Sequence, residues 1–202
     1  MTKIIRAQPA DADPLSALIA EAFRDLPPSH WLISDEAARR EIFPAYFRLY
    51  VDHALTSGIV YTTVGRDAAA LWIPVGHEPP DPPDGYPERL RAATMPWTER
   101  FIAFDAELDS HHPAGTPHHH LALLGVRPDL QGQGTGTALL DYYHRILDTQ
   151  TRAPAYLEAS SQRTRNLYLR HGYTDHGPPI RLPGGPMMYP MWREPQDKPS
   201  PP

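Results

Sequence analysis

The sequence predicts a mixed α/β fold, a central and mostly antiparallel sheet with helices on both faces. Three observations predict it. The runs "GIVYTTVG" (58–65) and "AAALWIPVG" (68–76) read as strands joined by a tight turn near Arg66 and Asp67, which makes an antiparallel pair. Residues 118–160 read as strand, helix, strand, a crossover that makes a right-handed parallel pair. Elsewhere, apolar residues recur at helical spacing between short strand-like runs.

Taken in order, "KIIRA" (3–7) is a short strand. "ADADPLSALIAEAF" (10–23) is a helix: Asp residues mark its start, and Leu15, Leu18, Ile19 and Phe23 share one face. "RDLPPSHWLISDE" (24–36) reads as a loop. "EAARREIFPAYFRLYVDHAL" (36–55) is a second helix, which Pro44 is expected to kink or divide. The hairpin follows, then a Pro-rich loop (77–87), then a helix through "ERLRAATMPWTERFIAFDAEL" (88–108) that breaks near Pro96. "HHHLALLGV" (118–126) is a strand, "GTALLDYYHRIL" (136–147) a helix and "AYLEAS" (155–160) a strand. "QRTRNLYLRH" (162–171) is a helix stopped by Gly172. "YTDHG" and "PMMYPMW" supply one or two closing strands. The organisation is one domain over 1–193 and a disordered Pro-rich tail over 194–202.

Composition narrows the function. The chain has 202 residues, 41% hydrophobic, enough for one core. A net charge of −5 argues against a nucleic-acid binder. The chain has no cysteine, which removes disulfides, thiolate metal sites and cysteine nucleophiles and fits a reducing, cytoplasmic setting. No apolar stretch is long enough for a signal core or a membrane span. Monomer and homodimer both remain open.

"GVRPDLQGQGTG" (125–136) carries the sharpest signal. Strand, Gly-rich turn, helix is an arrangement that aims free backbone N–H groups at an anion, aided by the helix dipole. The turn has no lysine, so it is not a P-loop, and Thr137 stands where a Rossmann fingerprint starting at Gly132 needs its last glycine. Other motifs carry less. Glu107 and His111 are one helical turn apart, but Pro113 and Gly115 follow at once, so no metal is expected there. Ser160 and Ser161 lack a nucleophile elbow. Trp31, Tyr46, Tyr50, Trp72, Trp97 and the Pro-rich loop are expected in the core and in pocket walls.

Gln131-x-x-Gly134-x-Gly136 after "GVRPDL" resembles the acetyl-coenzyme A pyrophosphate loop of the GNAT superfamily of N-acetyltransferases. "AYLEASS" followed by "LYLRHGY" resembles that superfamily's next strand and helix, and the likeness is best over 118–174. In motif it is similar to the branch that includes puromycin N-acetyltransferase. The resemblance implies the GNAT fold, with two parallel strands that splay apart, and acetyl-coenzyme A as co-substrate. It also implies direct transfer to a primary amine, of the kind borne by an antibiotic or an amino-metabolite. A non-catalytic acyl-coenzyme A-binding module and a protein or peptide amine acetyltransferase are the alternatives.

Residue by residue, the resemblance implies that Gln131, Gly132, Gln133, Gly134, Thr135 and Gly136 hold the pyrophosphate. It implies that Leu124, Gly125 and Val126 pair with the pantetheine arm. Thr164 and Asn166 stand near where relatives use an asparagine for the cofactor, and Arg163 or Arg165 is a candidate for the 3′-phosphate. Tyr168 takes the place of the acid that protonates the leaving thiolate. His118 and His120 share one face of their strand, and His119 takes the other. Imidazole titrates near neutral pH, so His120 is the leading candidate for the base, with His118 and water as alternatives.

Overall fold

The hairpin lies at the heart of the sheet. The computed structural model describes residues 2–78, 82–83 and 85–197. Its strands are β1 (Ile4–Arg6), β2 (Ile59–Thr63), β3 (Ala68–Val75), β4 (His118–Val126), β5 (Ala155–Ala159), β6 (Thr174–Asp175), β7 (Ile180–Arg181) and β8 (Met187–Arg193). They lie in the order β1-β2-β3-β4-β5-β8-β6, with β7 also paired to β8. Every pairing is antiparallel except β4 with β5, the pair joined by the predicted crossover.

Alternation along β3 separates two cores. Leu71 and Ile73 face α1 (Ala12–Phe23) and α3 (Glu36–Ser57), where they pack with Leu15, Ile19, Phe43 and Phe47. Trp72 faces the other way, against Leu139, Leu140 and Tyr143 of α6 (Thr135–Ile146), its ring centroid 4.6 Å from that of Tyr143. Helices on both faces thus match the expected fold class.

Two local expectations change. The 24–36 loop contains a short helix, α2 (Pro27–Leu32): a proline at the first position lacks only an N–H that would have no helical partner. Pro44 does not divide α3, which runs unbroken for 22 residues from its cap at Asp35, where the carboxylate accepts from Ala38 N–H at 2.7 Å. Tertiary burial of Phe43 and Phe47 outweighs the one backbone bond that proline removes. The break near Pro96 separates α4 (Tyr86–Thr94) from α5 (Thr98–His111).

Of the Pro-rich loop, 79–81 and 84 lie outside the described residues, as do 198–202 of the tail. The first part of the tail is fastened: Gln196 N–H donates to Asp148 at 2.9 Å, and Arg152 reaches Asp197 at 2.8 Å. Among the described residues, no helix is long and apolar enough to cross a membrane.

Candidate active site

The parallel pair is short. β4 and β5 pair only at His119–Ala155 and His120–Tyr156, then separate. The opening lies at the carboxyl end of both strands, where crossover sheets bind ligands. A bulge helps to set it. Between the pairs Leu71–Leu123 and Trp72–Leu121, β4 carries one extra residue, Ala122.

Past the bulge, β4 shows a free backbone edge. Arg127 N–H donates to Asp67 C=O at 2.8 Å, so 67/127 is a hydrogen-bonded pair. Antiparallel ladders alternate, so Val126 and Leu124 turn their N–H and C=O away from β3, towards the gap. Gly125, between them, turns its N–H and C=O to β3, and a Cβ there would sit 3.4 Å from Ile19 and Ala22 of α1.

The glycine turn closes this end. Gly132 (φ 76°) and Gly134 (φ 85°) are left-handed, and Gly134 is the N-cap of α6. Neither has an atom within 4 Å of a would-be Cβ, so backbone conformation rather than protein packing requires them there. The open space above them faces the first turn of α6, whose N–H groups have no helical acceptor. Gln131 donates to Val126 C=O at 3.1 Å and braces the turn, while Gln133 folds back onto Asp129 C=O at 3.2 Å.

One cleft of about 540 Å³ joins these parts. Its first arm is lined by Leu124, Val126, Gln131, Gly132, Gly134, Thr135 and Gly136, and across the gap by Ser160, Arg163, Thr164 and Tyr168. α7 (Gln162–Arg170) presents the last three, starting from a capping box in which Ser161 and Thr164 bond each other's backbone N–H. The second arm is lined by Phe23, Leu26, Tyr46, Phe47, Tyr50, Phe104 and Met188, with His120 and Glu158 where the arms meet.

Not all of the expected residues meet here. Gly125, Gln133 and Asn166 lie off the cleft, and Asn166 bonds Gln162 on the exposed face of α7. Arg165 is held by Asp175 at 2.6 Å, which leaves Arg163 at the cleft. His119 bonds Tyr143 at 2.9 Å on the opposite face of the sheet. His118 is buried with its Nδ1 against Thr116 C=O at 2.8 Å, and burial pushes its pKa down to about 4. Tyr46 and Tyr50 are pocket walls as expected, whereas Trp72 is fully buried on the α6 side.

Glu158 is the residue that the sequence reading missed. Its side chain is only 6% exposed, and it meets His120 Nε2 at 2.9 Å. Burial works against its charge, but the His120 and His112 rings beside it prevail and hold the carboxyl well below its usual range. A carboxylate can only accept, so His120 carries its proton on Nε2 and keeps the Nδ1 electron pair when the ring is neutral. The signal was present: "AYLEAS" is an apolar strand with one acid inside it, and an acid is rarely buried without a partner.

Two further groups shape the site electrically. Burial raises the Tyr168 phenol above its usual range, so the residue stays protonated as it faces the cleft. Behind Tyr46 and Tyr50 lies Asp105, which accepts from Tyr86 at 2.8 Å and Tyr50 at 3.2 Å. Burial pushes its pKa up to about 6, and no cation pairs with it among the described residues.

Residues 99–175 match the Acetyltransferase (GNAT) domain family. Over nearly their whole lengths, solved structures share the fold. The histone acetyltransferase HPA2 and related acetyltransferase from Corynebacterium glutamicum is 24% identical, with 98% of this chain and 99% of that one covered and a TM-score of 0.72. Arylalkylamine N-acetyltransferase 2 from Aedes aegypti is 9% identical over 96% and 99%, with a TM-score of 0.69. The PaiA N-acetyltransferase from Thermoplasma acidophilum, in complex with coenzyme A, is 10% identical over 96% and 99%, with a TM-score of 0.57. Among curated proteins, none matches the chain by sequence. The fold is therefore the GNAT fold.

Proposed function

We propose that this protein is an N-acetyltransferase that moves an acetyl group from acetyl-coenzyme A directly to a primary amine of a small molecule. One observation carries the reading: a half-buried His–Glu pair and a cleft-facing tyrosine stand beside an anion-ready helix start. Acetyl-coenzyme A supplies the activated acetyl group as a thioester, and the first arm suits it. Gly132 and Gly134 leave room over the first-turn amides of α6, Leu124 N–H and C=O and Val126 N–H offer hydrogen bonds to an extended amide chain, and Arg163 supplies a cation.

The residues divide the proton work. A primary amine must lose a proton to become nucleophilic, and His120 Nδ1 accepts it, directly or through a water. Glu158 fixes the His120 tautomer and balances the imidazolium that forms, as the acid of a catalytic triad does. At the other end, Tyr168 gives its proton to the departing sulfur. The absence of cysteine from the chain favours direct attack over a covalent acetyl-cysteine.

The second arm selects the amine. Aromatic walls suit an aryl or aliphatic body, and Glu158 with Asp105 behind it makes the arm attractive to a cation. The name of the Aedes aegypti relative points to arylalkylamines for that enzyme, and the motif likeness to the puromycin-acetylating branch points to a small amine as well. An acetyl-coenzyme A consumption assay against arylalkylamines, diamines, aminoglycosides and peptides tests this. Thiol release that depends on a small amine is expected. Coenzyme A binding with no turnover on any amine would instead make the chain a binding module, and a preference for peptides would make it a protein acetyltransferase.

A further inference from the structure

Beside the base lies a second arrangement that proton transfer does not need. His112, at the end of α5, brings an imidazole against β4 and β5. One nitrogen each of His112 and His120 and a carboxylate oxygen of Glu158 all lie within 4.8 Å of one another. Three elements separated in sequence thus converge on one point.

The hydrogen bonds fix which atoms offer electron pairs. Thr116 C=O can only accept, so His118 carries its proton on Nδ1 and, as a neutral ring, accepts at Nε2. That Nε2 lies 3.1 Å from His112 Nε2, so His112 donates there. His112 Nδ1 is left to face Glu158 Oε1, 3.8 Å away, with an electron pair when the ring is neutral. Two electron pairs facing across that distance are matched by a cation between them.

Two buried polar atoms support this. Glu158 Oε1 has no hydrogen-bond partner, although its side chain is only 6% exposed. The hydroxyl of Tyr156, a fully buried residue, has none either, and the Tyr156 ring packs on His112, His118 and His120 at 4.9, 5.7 and 5.5 Å between centroids. A buried polar group left unpaired gives up its hydration and gains nothing in return.

We infer that His112 Nδ1, His120 Nε2 and the Glu158 carboxylate form a binding site for a divalent transition metal of the zinc class. Two imidazoles and one carboxylate suit zinc or cobalt, and not magnesium or calcium, which take oxygen ligands. Three protein ligands leave a coordination position for water, within reach of the cleft that His120 and Glu158 line. His118 acts from behind, orienting His112 through the 3.1 Å bond.

The metal and the base exclude each other. A metal on Nε2 takes the place of the proton there and moves the remaining proton to Nδ1, so His120 has no electron pair left for the amine. The site therefore acts as a brake on the chemistry proposed above. Metal binding itself does not rest on that proposal, whereas the brake does.

A second cluster, Asp141, His144 and His171, is the internal control. There His144 Nε2 is already bonded to Tyr173 at 3.0 Å, and Asp141 is 58% exposed.

The test titrates the chelator-treated protein with zinc chloride by calorimetry and follows cobalt chloride by its visible absorption. One ion per chain is expected, with the intense visible bands of tetrahedral cobalt. His112→Ala should weaken binding at least about tenfold, Glu158→Gln should do the same, and His171→Ala should leave it unchanged. Circular dichroism confirms the fold of each variant, and His112→Gln replaces His112→Ala if the latter does not fold. Zinc should inhibit acetyl transfer by the wild type, while whatever activity His112→Ala retains should resist zinc. The site is overturned by no stoichiometric binding at about 100 μM metal, by undiminished binding in both His112 variants, or by loss of binding only in His171→Ala. Binding as expected without inhibition would leave the metal site standing and refute the brake.

Discussion

The two arms of the cleft are built in opposite ways. The arm proposed for the acyl donor is mostly backbone: left-handed Gly132 and Gly134, the first turn of α6, and the edge of β4 beyond the Ala122 bulge. Its residues are near neighbours in sequence. The arm proposed for the acceptor, with the proposed base, is side chains gathered from α1, α3, α5, β4, β5 and β8. A backbone site recognises what all its ligands share, and a side-chain site recognises what differs between them.

That contrast predicts where rate and affinity separate. The largest loss should come from His120→Ala, which should lower kcat/KM by ~10²–10⁴-fold. His119→Ala, on the other face of β4, should leave the rate within a few-fold, and steady-state kinetics on both variants separates the two faces. Equal losses would mean that the strand, and not one ring, is what matters. In the wild type, kcat/KM should rise with pH along a limb that stays fixed when acceptors of different pKa are compared. A limb that follows the acceptor belongs to the amine itself.

Glu158→Gln should come next, at about 10²-fold in kcat, because an amide can hold the wrong His120 tautomer. Tyr168→Phe should lower kcat by about ten- to a hundredfold and leave coenzyme A affinity nearly intact. Single-turnover measurements read both directly, and a wild-type kcat in Tyr168→Phe would make that residue a packing group.

The smallest effect concerns stability. Burial raises the Asp105 pKa to about 6, so the folded state binds the proton more tightly than the unfolded chain does. Stability from this group is then highest below about pH 4, falls as pH rises towards 6 and stays reduced above that. By linkage the loss is on the order of 2–3 kcal/mol. Asp105→Asn should flatten the pH dependence of Tm between pH 4 and 7, and its KM for cationic acceptors should rise. An unchanged pH profile would remove the buried charge from the account.

The same contrast explains what the sequence could show. Apolar periodicity located nearly every element, because each helix or strand face needs only local spacing to be recognised. The glycine turn was legible because Gly132 and Gly134 have no side chain to offer and so must serve the backbone. Period two put His118 and His120 on one face correctly, but it could not show that the bulge at Ala122 shifts the alternation beyond them. The lone acid in "AYLEAS" signals that Glu158 needs a partner but not which one, since His120 lies 38 residues away, and a helix end gives no hint of which strand His112 meets. Nothing local marks Asp105 among the acids of α5, because Tyr50 and Tyr86, which bond it, come from α3 and α4.

Calorimetric titration of coenzyme A into three proteins tests the division of the cleft most directly. The wild type and His120→Ala should bind with the same affinity, since His120 lies outside the backbone cradle. Gly134→Val forces a side chain into a left-handed position (φ 85°) at the start of α6, and it should bind at least about tenfold more weakly, or roughly 1.4 kcal/mol. Unchanged affinity in a folded Gly134→Val, or an equal loss in His120→Ala, would contradict the account.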